Sequence, residues 1–197
     1  MDYPLLSVII PCYNGEKCIK KCIHSIMQQT YRNLEILVID DGSTDNSYQI
    51  CNEIAKDDSR IQVIHQENKG LPTTRKTGIN ISKGRYVTFV DADDWIHPQM
   101  YEFMMDGIIQ ENADIAQCGV CNAFTQSDGQ TQLKHRRCSE ITNHYQIYNR
   151  IDGVLKILDD KDWQSYMWNK IYKKELFLYI ESVSYTHLRA HETCADL

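Results

Sequence analysis

The sequence predicts an α/β fold in which helices flank a mostly parallel sheet. Short runs rich in Val, Ile and Leu alternate along the chain with segments whose apolar residues recur every three or four positions. Connections long enough to contain a helix favour parallel pairing of the strands that they join. The run 34–40 is nearly all apolar, which is typical of a strand covered by helices on both faces.

The predicted elements alternate in a regular order. Strands are predicted at 5–11, 34–40, 61–65, 85–91 and 114–121. Helices are predicted at 15–29, 44–56, 73–81, 98–112, 151–158 and 165–179. Ser43 or Thr44 is the expected N-cap of the second helix, and the polar segment 122–137 is expected to form a loop.

The length and composition are those of one globular domain. The chain has 197 residues, of which 42% are hydrophobic, and carries a formal net charge of −6. This acidic balance argues against a nucleic-acid binder, which would carry a basic face. No apolar run is long enough to span a bilayer, and the N-terminus lacks the apolar core of a signal peptide. We therefore expect a cytoplasmic protein.

The eight cysteines are expected to remain reduced in that compartment. Cys118 and Cys121 have the spacing of a zinc or redox pair, with Cys138 as a further candidate ligand. No second Cys-x-x-Cys follows, and the pair falls in a strand-like run. Packing as small apolar side chains is therefore the favoured interpretation.

Polar side chains follow three of the predicted strands. In open α/β sheets, ligands bind outside the carboxyl ends of the strands. Clustered Asp oxygens suit a hard divalent cation that also takes oxygens from a substrate phosphate. A single acidic cluster could equally be a turn that caps the next helix, but three successive polar strand ends favour a binding site. The segments are Pro11–Asn14, Asp40–Asp45 and Asp91–Asp94.

Several motifs, in their order along the chain, resemble those of family 2 glycosyltransferases. The resemblance implies a GT-A fold, which is Rossmann-like, and inverting sugar transfer from a nucleotide-sugar donor. It covers residues 5–120 closely and implies one domain over 1–181, in which the donor-binding half is the more complete. Trp168-Asn169-Lys170 is similar to a downstream segment of capsule- and cell-wall-type members. The matching segments are Ser7–Asn14, Val38–Asp45, Asn68–Leu71, Arg75–Gly78 and Gly84–Trp95.

The resemblance implies roles for residues of the donor site. Tyr13 matches the position whose ring packs on the donor base, and Asp41 matches the acid that accepts the imide N–H of uracil. The implied donor is therefore a UDP-sugar. Without these roles, Tyr13 would cover the sheet edge and Asp41 would place negative charge at a helix N-terminus. The implied nucleotide-sugar site comprises Pro11, Tyr13, Asn14, Asp41, Lys69, Arg75, Asp91 and Ala92.

The resemblance also implies a divalent metal ion, Mn²⁺ or Mg²⁺. Asp93 matches the metal ligand of the family, and Asp91 would contribute directly, through water, or by holding the donor sugar or ribose. The ion would neutralise charge as the nucleoside diphosphate leaves. Lys69 and Arg75 would face the diphosphate, with solvated surface charge as the alternative for each.

Four neighbouring acidic or aromatic residues have other expected roles. Asp94 would support the metal ligands or cap the following turn, and Trp95 would line the acceptor side or the core. Asp40 is expected to be structural. Asp45 is expected to place negative charge at a helix N-terminus.

The catalytic base is the missing part of this resemblance. Inverting transfer needs a carboxylate that deprotonates the acceptor hydroxyl. In the family this acid comes from a Glu-Asp pair downstream of the Trp-Asn-Lys segment, where Glu181 and Glu192 stand alone. The acids Asp159, Asp160 and Asp162 come too early in the pattern. We therefore expect donor binding or slow donor hydrolysis from this chain.

The last residues, 182–197, continue no helical or strand periodicity. They are expected to be a non-native tail appended to a truncated reading frame. His187 and His191 have the spacing of metal ligands on a helix, but their position in this tail argues against a metal role.

The implied acceptor is an envelope polysaccharide or a lipid-linked saccharide, which would allow peripheral association with the inner face of the membrane. The alternatives are a non-catalytic nucleotide-sugar-binding module, a nucleotidyltransferase and a HAD-like phosphatase. Pro11–Gly15 is not the Gly-rich basic loop of a nucleotidyltransferase, and the nucleophilic Asp-x-Asp of a HAD-like phosphatase would be expected on the first strand. A Glu-Asp pair in an extended reading frame would distinguish the transferase from the binding module.

Overall fold

Strands and helices alternate through the structure, a computed structural model that describes residues 3–125, 131–136, 146–159 and 166–178. The predicted tail, 182–197, lies outside these residues. A 3₁₀ turn, Lys174–Phe177, follows the last described strand. In chain order the elements are β1 (Leu6–Cys12), α1 (Ile19–Met27), β2 (Leu34–Asp41), α2 (Ser47–Ala55), β3 (Ile61–Gln66), α3 (Leu71–Ile81), β4 (Tyr86–Phe89), α4 (Met100–Glu111), β5 (Ile115–Gln117), β6 (Val120–Thr125), β7 (Thr131–Arg136), α5 (Arg150–Asp159) and β8 (Lys170–Lys173).

The described strands form a six-stranded sheet and a separate two-stranded hairpin. The order across the sheet is β3-β2-β1-β4-β8-β5, and β6 pairs with β7. Strands β1 to β4 are parallel, whereas β8 runs antiparallel between β4 and β5. The α/β fold with a mostly parallel sheet, predicted from the sequence, is confirmed.

Alternate residues of the central strands enter two apolar cores, one on each face of the sheet. Val8 and Ile10 of β1 pack with residues of α1, α2 and α4 on one face. Ile9 packs with Leu37 and Phe89 on the other face, which α3 covers. All five side chains are fully buried. Because both faces of the sheet are covered, β1 and β2 are apolar almost throughout.

Helix α3 lies very close to β1 at Gly78. A Cβ atom on this residue would lie 2.4 Å from Cγ2 and 3.1 Å from Cγ1 of Ile9. Ile9 is fully buried in the middle of the sheet, where a close-packed interior leaves little room for it to move. The absence of a side chain at Gly78 therefore sets the distance between α3 and the sheet.

The prediction of a helix at 165–179 is wrong for residues 166–178, the part of this range that the structure describes. That part contains β8, which fills the space between β4 and β5. Ile171 of β8 lies opposite Thr88 of β4 on one side and opposite Ala116 of β5 on the other. Pairing with two strands and the full burial of Ile171 outweigh the local helical pattern.

Asn169 and Lys170 anchor the start of β8 in the interior. Nζ of Lys170, a residue that is 3% exposed, donates to Oδ1 of Asn169 at 2.9 Å. Nδ2 of Asn169 donates to the carbonyl of Cys118 at 3.1 Å, and the hydroxyl of Thr88 donates to the carbonyl of Lys170 at 2.7 Å. These bonds tie β8 to β4 and to the segment after β5, and they satisfy buried polar groups.

Other boundaries also differ from the prediction. The loop expected at 122–137 includes most of β6 and all of β7, because residues 120–125 and 131–136 pair with each other as a hairpin. The N-cap of α2 is Asn46, not Ser43 or Thr44, whose side chains bond instead to the loop after β1. Helix α1 begins at Ile19 and α3 at Leu71. Within the described ranges, no helix has the length and apolar character needed to cross a bilayer.

Replacement of Gly78 by Ala is expected to destabilise the protein. The added methyl group would overlap Ile9, and overpacking of this kind costs about 1–3 kcal/mol. Gly153→Ala is the matched control, because nothing lies within 4 Å of a Cβ atom built at that position of α5. The control should leave stability unchanged or raise it by up to about 1 kcal/mol through helix propensity. Urea unfolding followed by circular dichroism measures both, and an unchanged midpoint for Gly78→Ala would contradict the close approach of α3.

Candidate functional site

The parallel register brings the three polar strand ends to one edge of the sheet. Cys12, the last residue of β1, lies opposite Asp40 of β2. Strand β4 stays in register with β1 as far as Phe89, which lies opposite Ile9, and Asp91 follows two residues later. The loops that follow β1, β2 and β4 therefore meet at the carboxyl edge, where open α/β sheets bind their ligands.

Two glycines let the loops at this edge pack closely. A Cβ atom on Gly15 would lie 3.2 Å from Sγ of Cys12 and 3.6 Å from Cβ of Ala92, so the loop after β1 contacts the turn after β4. Gly42 has a φ of +73°, and a Cβ atom there would lie 2.8 Å from the backbone nitrogen of Asn68. A side chain at Gly42 would be strained and would displace the loop between β3 and α3.

Asn14 fastens the loop after β1 to the loop after β2. Its Oδ1 accepts a bond from the backbone N–H of Thr44 at 2.8 Å, and its own N–H donates to Oγ of Ser43 at 2.9 Å. The φ of Asn14 is 52°, a left-handed conformation that Asn adopts more readily than most residues. The predicted donor-site residue Asn14 thus also holds two loops of the site together.

Asp45 lies directly before Asn46, the N-cap of α2, so its negative charge is close to the N-terminus of that helix. Its Oδ1 accepts a bond from the backbone N–H of Ser47 at 2.9 Å, and its Oδ2 accepts one from the backbone N–H of Glu16 at 3.0 Å. Burial raises the pKa of Asp45, but these hydrogen bonds outweigh burial and lower it. Asp45 therefore joins the N-terminus of α2 to the loop after β1.

Asp41 ties the end of β2 to the loop that precedes α3. Its carboxylate accepts bonds from Nε2 of Gln66 at 2.7 Å and from the backbone N–H groups of Lys69 and Gly70 at 2.9 Å each. Burial raises the pKa of Asp41, but the hydrogen bonds, including one from Thr74, outweigh burial and lower it. Asp41 is 4% exposed, and these contacts hold its carboxylate in place at the end of β2.

Asp40 lies beneath the edge of the sheet. It is 1% exposed, and its Oδ2 lies 2.6 Å from Nδ1 of His65 and accepts a longer bond of 3.4 Å from the backbone N–H of Ser43. The ring of His65 in turn packs against Tyr48 of α2. Asp40 therefore links β2 to β3, which agrees with the structural role expected for it.

Arg75 and Asp91, which the resemblance assigned to separate contacts, form an ion pair. Nη2 of Arg75 lies 2.8 Å from Oδ1 of Asp91, and the arginine side chain is only 12% exposed. Its guanidinium carbon also lies 5.9 Å from the centroid of the Phe89 ring. Arg75 thus reaches from α3 to the end of β4, orients Asp91 and balances part of its charge. A direct contact of Arg75 with a diphosphate stays a prediction.

The turn after β4 concentrates negative charge. The backbone N–H of Asp94 donates to the carbonyl of Asp91 at 3.0 Å, which closes the turn. Burial, together with the charges of Asp93 and Asp91, raises the pKa of Asp94 to about 6. Three carboxylates this close repel one another, and a cation bound among them would relieve the repulsion.

These carboxylates fit a divalent cation whose coordination is completed by other ligands. Among the residues that the structure describes, no three His, Cys, Asp or Glu side chains converge as a ligand set. Mg²⁺ and Mn²⁺ suit oxygen ligands, and Mg²⁺ usually uses one or two carboxylates together with waters and substrate phosphates. Asp93 is exposed, and Arg75 contacts only Oδ1 of Asp91, so Asp91 and Asp93 fit this pattern.

The remaining predicted donor-site residues differ in exposure. Tyr13 is 54% exposed and Lys69 is also exposed, so both side chains are accessible at the rim of the site. Pro11 is buried in β1, and Ala92 is half-buried against the loop that contains Gly15. Tyr13 can therefore offer a ring face to a ligand, whereas Pro11 and Ala92 shape the backbone around it.

Trp95 does not belong to the core. It is 38% exposed, and Nζ of Lys21 lies 3.0 Å from the centroid of its ring. This cation–π contact connects α1 to the residue directly after the acidic turn. No motif pointed to Lys21, because it lies far from Trp95 in sequence and only the folded chain brings the two together.

In the cysteine pair considered for zinc, Cys118 packs in the interior. Sγ of Cys118 lies 3.7 Å from the carbonyl of Asn169, and burial raises the pKa of Cys118 to about 12. Cys121 is exposed.

Several other residues named from the sequence lie outside the described residues, and Asp159 ends α5. Those outside are Cys138, Asp160, Asp162, Glu181, His187, His191 and Glu192.

Comparison with known proteins shows the family of this chain. A family model described as "Glycosyl transferase family 2" matches residues 7–177. The chain is also 39% identical over 176 residues to the glycosyltransferase GlyA of Streptococcus pneumoniae serotype 4. That alignment covers 87% of this chain and 25% of GlyA.

Solved structures share the fold. TarS 1-349 from S. aureus, in complex with UDP-GlcNAc, superposes with a TM-score of 0.65 at 25% identity, covering 88% of this chain and 46% of that chain. The mannosyltransferase PcManGT from Pyrobaculum calidifontis, in complex with GDP-Man and Mn²⁺, has a TM-score of 0.64 at 19% identity, covering 91% and 47%. The chain therefore spans about half the length of these solved chains and a quarter of GlyA.

Asp41→Asn is expected to destabilise the protein at neutral pH. Asn offers one acceptor oxygen in place of two, and a lost hydrogen bond to a charged group costs about 1.5–3 kcal/mol. The pKa of Asp41 is lowered by folding, so its contribution is present above the unfolded value of about 3.9 and is lost as pH falls through the folded value. The difference in unfolding free energy between the two proteins should therefore shrink below about pH 4.

Urea unfolding at neutral and acidic pH measures this difference. Asp57→Asn is the matched control, because it makes the same change of charge at an exposed position. A loss of stability for Asp41→Asn that is equal at both pH values, or equal to that of the control, would contradict the anchoring role.

Proposed function

The chain belongs to glycosyl transferase family 2, and we propose that it transfers a sugar, with inversion, from a UDP-sugar to an envelope polysaccharide or a lipid-linked saccharide. The observation that carries the proposal is the crowded acidic turn Asp91–Asp94, where burial and neighbouring charge raise the pKa of Asp94 to about 6. This turn shares its sheet edge with the exposed ring of Tyr13 and the anchored carboxylate of Asp41. The edge thus combines an anchor for a metal-bound diphosphate with groups suited to a nucleobase.

The similarity to TarS supports a nucleotide-sugar as the donor. The TarS structure contains UDP-GlcNAc, and its 25% identity extends over 88% of this chain. The choice of uracil rests on Asp41, whose ionised carboxylate only accepts hydrogen bonds and would take the imide N–H of that base. Tyr13 would pack its exposed ring face against the same base.

Asp93, together with Asp91, would hold Mn²⁺ or Mg²⁺ at the end of β4. The ion supplies charge neutralisation for the nucleoside diphosphate as it leaves the sugar. Arg75 acts as a positioning residue, because its ion pair fixes one oxygen of Asp91 and leaves the other for the ion or the donor. Lys69, exposed on the neighbouring loop, would add a positive charge beside the diphosphate.

Inversion at the anomeric carbon also requires a base for the acceptor hydroxyl. Among the described carboxylates of this edge, Asp41 and Asp45 hold loops, Asp91 pairs with Arg75, and Asp93 is the proposed metal ligand. We therefore propose that Asp41, Asp91 and Asp93 serve the donor, and that the base is a separate group. A lipid-linked acceptor would place the reaction at the cytoplasmic face of a membrane.

Asp93→Ala is expected to weaken metal-dependent donor binding. Calorimetric titration of the chain with UDP-GlcNAc should detect binding in the presence of Mn²⁺ and little binding after chelation of the metal. Loss of a charge-assisted anchor should weaken the affinity by at least about tenfold, which corresponds to about 1.4 kcal/mol. Asp57→Ala, at an exposed position remote in sequence from the acidic turn, serves as the control and should bind as the unchanged protein does.

Two outcomes would contradict this proposal. Donor affinity that is equal in Asp93→Ala and the unchanged protein would show that the acidic turn does not hold the diphosphate. Binding that is insensitive to chelation would show that no metal ion takes part. Release of UDP from bound UDP-GlcNAc, followed over time, distinguishes an enzyme from a nucleotide-sugar-binding module.

A further inference from the structure

Helix α1 carries a basic stripe, which we define as Lys17, Lys20, Lys21 and His24. Lys17 lies in the turn that leads into the helix, and Lys20, Lys21 and His24 lie on it. Lys17 and His24 are each three and four residues from the adjacent Lys20 and Lys21, spacings at which residues share one side of a helix, and all four are exposed. The opposite side of α1 is fully buried in the core, so the helix presents only this side to solvent.

Within the described part of the chain, the ion pairs of 4.0 Å or less do not include the lysines of the basic stripe. Lys21 contacts the ring of Trp95, and Lys17 and Lys20 are exposed. The chain as a whole is acidic, with a formal net charge of −6, so this stripe is a local exception to the overall charge.

The basic stripe adjoins the candidate donor site. Trp95, over which Lys21 lies, directly follows the acidic turn Asp91–Asp94. The ring is 38% exposed, and Trp is a residue that favours the boundary between apolar and aqueous phases. The stripe and an exposed aromatic ring therefore form one continuous surface at the rim of the site.

We propose that the basic stripe and Trp95 dock this protein on an anionic phospholipid surface, with the rim of the candidate site facing the membrane. A helix side with long, exposed lysines matches a planar array of negative headgroups, and each lysine near such a surface contributes a favourable interaction. A small soluble anion is usually held by converging N–H donors or in a concave pocket, whereas the stripe is convex and its lysines lie side by side.

This orientation gives the proposed function a route to its acceptor. This consequence rests on the proposed function: the docked protein would present its donor site to a saccharide whose lipid anchor lies in the same membrane. The docking itself requires neither donor nor metal, so it can be tested separately.

Vesicle co-sedimentation at low ionic strength tests the docking. The unchanged protein should bind vesicles of phosphatidylcholine mixed with phosphatidylglycerol and should bind pure phosphatidylcholine vesicles much less. Lys17→Glu/Lys20→Glu should lower the partition coefficient on the order of 30-fold, because it removes two surface-binding charges. Lys56→Glu/Lys76→Glu makes the same change in net charge at exposed positions of other elements and should stay within about threefold of the unchanged protein.

Two further measurements separate docking from folding and from donor binding. Glu and Lys have similar helix propensities, so the far-ultraviolet circular dichroism spectrum and the UDP-GlcNAc affinity of Lys17→Glu/Lys20→Glu should match those of the unchanged protein. Asp93→Ala should keep its vesicle binding even where its donor binding is lost. Failure of donor binding in the unchanged protein would therefore refute the proposed function and leave the docking result valid.

Three outcomes would overturn the proposal. The first is equal binding of the unchanged protein to neutral and anionic vesicles. The second is an equal loss of binding in the two double variants, which would mean that net charge alone controls the interaction. The third is displacement from vesicles by inorganic phosphate at constant ionic strength, which would indicate a discrete phosphate site and not a surface.

Discussion

The parallel pairing of β1 with β2 and β4 is the constraint on which the rest of the site depends. Because all three strands run the same way, their polar ends emerge at one edge, with Cys12 level with Asp40. Close packing keeps this edge compact: Gly78 lets α3 approach Ile9, and Gly15 lets the first loop contact Ala92. A side chain at either glycine would force apart elements that carry candidate residues.

Hydrogen bonds that acidic side chains accept from backbone N–H groups make this edge a preorganised site. Asp41 holds the loop before α3, and Asp45 holds the loop after β1, so two carboxylates of the strand-end motif act on backbone N–H groups. The acidic turn after β4 is balanced differently. Arg75 pairs with Asp91, which leaves Asp93 and Asp94 with an excess of negative charge that a divalent ion would offset. Rigid loops and uncompensated charge together favour a metal-bound diphosphate.

Local patterns predicted most of the first half of the fold, and they failed where pairing partners lie far apart in sequence. Strands β1, β2 and β4 followed from apolar runs that end in polar motifs, and β3 followed from a short strand-like run. The segment at β8 has a helical pattern, yet Ile171 is fully buried between β4 and β5, and strand pairing decided its conformation. Likewise Ser43 and Thr44 resemble helix caps in sequence, but their hydroxyl groups bond to Asn14 across the site.

The amino-acid sequence by itself determined the family, the α/β fold and the residue types at the strand ends, because these depend on short segments with strong local preferences. Only the tertiary structure decided which of those residues meet. The Arg75–Asp91 pair, the bonds from the loop after β3 to Asp41, and the contact of Lys21 with Trp95 each join segments that are separate along the chain. Such contacts depend on packing distances and registers between elements, which no local pattern contains.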